Sequence, residues 1–273
     1  MKKFLVAFAL LLPYWLIAQN TAGVVTYAEV TKMKFTPPAD MDPAMKASIE
    51  QMMKNAPKSF TSYKELNFNP EIAYYKISPK QEKLDAERAA KENMETPGQG
   101  GPGGPGGGGF RRMMMNSKSI YYWDLHKSKY VEKREFFEKE FLVKDDCKKL
   151  TWKILGDAKE IAGYVCQKAS TKIDTTEVIA WFCPTIPVPS GPNGFGQLPG
   201  LIMEVQMDER TTITADSVEL KPINTADFEQ PKGGKVVNRT EYDQIVKEKM
   251  DEMRAEWKGR MGGGGGQVRM MGQ

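Results

Sequence analysis

Ala180-Trp-Phe-Cys-Pro-Thr-Ile-Pro-Val-Pro-Ser-Gly-Pro-Asn-Gly-Phe-Gly-Gln-Leu-Pro-Gly-Leu-Ile-Met-Glu-Val205 reads as a strand, a stiff loop and a second strand. Pro184, Pro187, Pro189 and Pro192 fix φ and withhold four backbone donors, so the middle can be neither a helix nor a ladder strand. Interleaved with them, Gly191, Gly194, Gly196 and Gly200 supply tight turns. Beyond the loop the pattern becomes a strict alternation. Leu201, Met203, Val205 and Met207 point one way, while Glu204, Gln206 and Asp208 point the other. Period-two alternation with one wet face is the mark of an antiparallel sheet.

Working outward, the same strand signals recur. They cover Gly23–Phe35, Thr61–Phe68, Ile72–Ile77, Ile120–Leu125, Tyr130–Phe136, Phe141–Lys144 and Thr151–Leu155. Tyr164–Lys172 and Glu177–Cys183 form a hairpin leading into the loop, and Asp208-Glu-Arg210 turns the strand beyond it into Thr211–Leu220. Asp42-Pro43 opens a short helix, and Lys80–Met94 is at best a solvated one. A last amphipathic helix is expected from Thr240, with Tyr242, Val246, Met250, Met253 and Trp257 at helical spacing. The fold expected is mainly β: an antiparallel curved sheet or half-barrel of about ten strands, with one insertion helix and a C-terminal amphipathic helix. Residues 1–18 read as a signal peptide and 20–258 as a single β-rich domain. A Gly/Pro-rich insertion at about 79–117 and a Gly/Met-rich tail at 259–273 read as disordered.

Lys2-Lys3, the apolar run Phe4–Leu12 and the approach to Ala18 indicate an exported chain, periplasmic or secreted, with no transmembrane span after cleavage. Lys and Arg total 39 against 35 Asp and Glu, and two of those cations fall in the signal segment. No net field or basic run remains to hold phosphates, which excludes nucleic acid as a partner.

Catalytic motifs are absent. His126 is the only histidine and sits at a strand end, a turn position rather than a triad. No zinc-type or redox Cys spacing exists, neither Gly tract is a phosphate loop, and no cofactor is expected. Methionine is abundant at 17 residues, and Met113-Met114-Met115 offers thioethers to Cu(I) or Ag(I) as an alternative metal site. Three cysteines leave at least one unpaired within the chain. If Asp174-Thr175 is a two-residue turn, Cys166 stands directly opposite Cys183, a possible disulfide; buried apolar thiols are the alternative.

The Ala180–Val205 stretch resembles the signature of the GLPGLI family, secreted proteins of Bacteroidetes. The resemblance rests on Trp181-Phe182, Ile186-Pro187, Gly191-Pro192, Phe195 and Gln197-Leu198-Pro199-Gly200-Leu201-Ile202, with Gln197 where the family has its first Gly. It implies an exported protein of unassigned activity. The expectation is therefore a non-catalytic envelope protein, with this loop either corking the sheet or binding an envelope protein or apolar ligand. An enzyme without a recognisable motif is the remaining alternative.

Overall fold

A computed structural model describes residues 21–32, 57–95 and 119–262, with isolated helical positions at 43, 46, 47, 50, 51 and 54. The Gly/Pro tract, the Gly/Met tail, the signal segment and most of the helix expected from Asp42 lie outside the described residues.

Among the described residues twelve strands and two continuous helices follow one another: β1 (Gly23–Lys32), β2 (Ser59–Phe68), β3 (Ile72–Ile77), α1 (Pro79–Glu95), β4 (Ile120–Asp124), β5 (Lys129–Phe136), β6 (Lys139–Asp146), β7 (Lys153–Ile161), β8 (Tyr164–Ile173), β9 (Thr176–Cys183), β10 (Leu201–Met207), β11 (Thr211–Leu220), β12 (Lys235–Val237) and α2 (Arg239–Gly262). They build one open sheet in the order β12-β6-β5-β4-β3-β2-β1-β11-β10-β9-β8-β7. The mainly β, curved antiparallel sheet expected from the sequence is what forms. Two meanders, β1–β6 and β7–β11, are joined where β1 pairs with β11. Only β12 departs from the antiparallel pattern, adding in parallel to β6. Register breaks in β1/β11, β9/β10 and β7/β8 bend the sheet, since an extra residue in one strand increases local twist.

The proline-glycine loop folds back over the sheet and becomes its filling. Val188 and Ile186 join Tyr27, Phe68, Trp123, Leu201 and Met203 in the larger core, while Phe195 and Leu198 join Phe182, Ile202 and Val205 in a second. Glycine is required where the loop meets the aromatic rows. A Cβ at Gly196 would overlap the Trp123 indole, and one at Gly194 would come within 2.6 Å of the Tyr121 hydroxyl. Leu201 N–H donates to Ile186 O and Ile202 N–H to Ser190 O, each at 2.9 Å, sewing the loop to the strand it leads into.

Both helices are fixed at their first turns. Ser78 Oγ accepts from the Gln81 N–H, Pro79 takes the first helical position, and the Gln81 side chain accepts from the Tyr63 N–H of β2. The rest of α1 is mostly exposed, the solvated helix that its charge pattern predicts. In α2 the cap is Asn238 rather than Thr240. Asn238 Oδ1 accepts from the Glu241 N–H, and Glu241 Oε2 accepts from the Asn238 N–H, a reciprocal capping box starting two residues earlier. Tyr242 is buried edge-on against Phe141, so α2 closes a third cluster over β5 and β6.

Candidate functional site

The residues singled out in the loop divide by exposure. Phe182, Ile186, Gly191, Pro192, Phe195, Leu198, Gly200 and Leu201 are buried, and Phe195 is only 8% exposed. Pro187 and Pro199 face outward, while Trp181 lies half-buried at the root of the loop. The rings expected to be offered to a partner therefore pack inward. Exposed hydrophobic contact at Phe195 or Leu198 would cost the core the groups that fill it.

Trp181 is where the stretch reaches a polar surface. Its cross-strand neighbours are Lys168 on β8 and Glu204 on β10. The Glu204 carboxylate, 6% exposed, receives Lys159 Nζ at 2.8 Å, Gln206 Nε2 at 3.0 Å and Thr214 Oγ1 at 3.2 Å. Lys159 Nζ also stands 4.4 Å from the Trp181 ring centre, with Lys168 Nζ at 5.7 Å. Three donors on one buried carboxylate satisfy the desolvation demand that an isolated charge would carry. An indole beside a carboxylate, an amide, a hydroxyl and two ammonium groups combines an apolar face with directional donors and acceptors. No single sequence motif signals this group, because its members come from β7, β8, β9, β10 and β11.

A second buried carboxylate, Glu132, is clamped between Arg134 Nε and Arg239. Arg239 also donates to the Tyr130 hydroxyl at 3.2 Å, and its backbone N–H to Asp145 Oδ2 at 3.0 Å. Burial opposes both guanidinium charges most strongly, yet Glu132 with Tyr242 at Arg134, and Glu132 with Tyr130 and Asp243 at Arg239, together outweigh it and raise both pKa values. Both carboxylate oxygens point at guanidinium, so this centre serves to dock α2 on the sheet.

The two cysteines of the hairpin do meet. Ile173 pairs with Thr176, which makes Asp174-Thr175 the two-residue turn, and Cys166 and Cys183, both free thiols, are buried in one cluster. His126 is exposed in the turn between β4 and β5. Met113, Met114 and Met115 lie outside the described residues. Among the described residues no group of three or more His, Cys, Asp or Glu side chains is arranged to hold a metal ion. No described helix is long and apolar enough to cross a membrane.

Residues 114–244 match the family described as N-glycanase peptide, N-terminal domain. The matched region runs from just before β4 into the second turn of α2, and contains Trp181, Glu204, Lys159, Glu132 and the whole proline-glycine loop. No curated protein matches the chain by sequence. Two crystal forms of PNGF-II resemble it in structure. One, in P21, has a TM-score of 0.49 and 13% identity over 82% of this chain; the other, in C2, has 0.49 and 12% over the same share. The chain spans about a third of the length of those structures, 33% and 32%. The family match corrects the resemblance drawn from the loop. The family that matches is the N-glycanase N-terminal domain, and no match to the GLPGLI family accompanies it. The expectation of a non-catalytic envelope scaffold falls with it, because the matched family is named for an enzyme.

Proposed function

We propose that this chain works in the processing of asparagine-linked glycans outside the cytoplasm, as an N-glycanase-related protein. The match of residues 114–244 carries the reading, and export rests on the signal-like residues 1–18. The Trp181–Glu204 surface supplies chemistry that suits a sugar. A pyranose offers a flat C–H face for an indole and a rim of hydroxyls for Glu204, Gln206 and Lys168. In this reading Trp181 seats the sugar adjoining the peptide, and Glu204 with Gln206 orients its hydroxyls while the glycan is released.

Purified full-length chain mixed with an asparagine-linked glycopeptide, and with the same peptide lacking its glycan, tests this by mass spectrometry and affinity. The expected outcome is glycan release or retention confined to the glycopeptide. Equal treatment of the two peptides contradicts the proposal.

A further inference from the structure

We propose that Cys166 and Cys183 are a disulfide site that locks β8 to the root of the proline-glycine loop. The β8/β9 ladder runs from Ile173↔Thr176 to Gln167↔Phe182, and its next rung sets Cys166 against Cys183. Directly opposed residues of an antiparallel pair have Cα atoms about 4.5–5.5 Å apart, inside the ~4.4–6.8 Å window a disulfide needs. Both side chains are buried in the same hydrophobic cluster, on the face the ladder gives to opposed residues, so the bond asks for little backbone movement.

The surroundings also set the two thiols apart. The Cys183 sulfur accepts from Cys166 and, against its burial, from the Thr185 hydroxyl and the backbone N–H groups of Thr185 and Ile186. Together these draw its pKa down to about 6. Thr185 Oγ1 lies 3.0 Å from that sulfur. Cys166 keeps its proton, held by Cys183 and by burial. These contacts belong to the finished fold, so during folding either thiol can attack first, Cys183 in the sequence that follows. With a small disulfide such as oxidised glutathione as oxidant, Cys183 S⁻ attacks one glutathione sulfur, and the glutathione S–S bond breaks. The first glutathione leaves as a thiolate and takes the proton that Cys166 releases. Cys166 S⁻ then attacks the Cys183 sulfur and expels the second glutathione thiolate, which picks up a proton from water in place of the one Cys183 had already given up. Two protein thiols are oxidised and one glutathione disulfide is reduced to two thiols.

Both sulfurs are fully buried in the finished fold, so exchange belongs to folding, before the loop closes over them. Cys147 stays out of the reaction. It follows β6, off the β8/β9 ladder, and in the finished fold burial first, then Asp146, pushes its thiol up to about 12.

The test refolds the reduced full-length chain in mixed oxidised and reduced glutathione, then alkylates it in denaturant and reads intact and peptide masses. A single alkylated cysteine, Cys147, and one linked peptide pair containing Cys166 and Cys183 are expected, with Tm about 5–10 °C above the reduced chain. Cys147→Ser should keep the link. Three alkylated thiols in the refolded chain, or a link through Cys147, overturns the proposal.

Discussion

Gln197 holds a left-handed backbone, φ +68°, a conformation that costs a side-chain-bearing residue roughly 1–2 kcal/mol. Its own amide offsets that strain. Oε1 accepts from the Leu150 N–H at 3.0 Å, and Nε2 donates to Lys148 O at 2.9 Å, tying the loop to the segment before β7. Gln197→Ala keeps the strain and loses both bonds, so it should lower unfolding free energy by about 1–2 kcal/mol. Gln197→Gly loses the bonds but sheds the strain, and should cost less than the alanine. Urea unfolding of the two variants checks the order; alanine no worse than glycine would refute the role given to the amide. The sequence shows Gln197 as the odd member of its stretch but not why it is tolerated, because its partners are 47 and 49 residues away.

Elements came through the sequence wherever one face of a single segment carries the signal. The alternation after Leu201, the hairpin turn at Asp174-Thr175 and the helical spacing through Tyr242 and Val246 are local, and each element forms. What periodicity cannot carry is pairing at a distance. The short parallel β12 and the junction of β1 with β11 depend on strands far apart in the chain. The same holds for the seat of α2, where Arg239 meets Glu132 across 107 residues. Removing one partner of a buried ion pair costs ~3–5 kcal/mol, and here Arg134 remains to serve Glu132. Arg239→Ala should therefore destabilise by about 2–3 kcal/mol and raise hydrogen exchange in α2 ahead of the central strands. A loss below about 0.5 kcal/mol, or no change in α2 exchange, would mean that Tyr242 packing alone seats the helix.

At the scale of the molecule, twelve strands bend around a loop that became core. That is why the sequence leaves the loop's aromatic residues as either a cork or a presented surface: hydrophobicity marks burial and recognition alike, and only the fold-back separates them. Polar residues drawn from four strands meet instead beside Trp181 on a fifth, each unremarkable alone, and no spacing rule joins them. If this surface takes the sugar, binding should depend on Trp181 and Glu204 and not on the peptide. The most direct measurement is calorimetric titration of an asparagine-linked glycopeptide into the full-length wild type, Trp181→Ala and Glu204→Gln. Loss of one such contact, of about 1–2 kcal/mol, should weaken binding roughly tenfold in each variant. Both variants should melt several degrees below the wild type, since each loses buried contacts, yet stay folded at the titration temperature. Undiminished binding by both folded variants, or equal binding of the peptide without its glycan, would contradict the assignment of this surface to glycan processing.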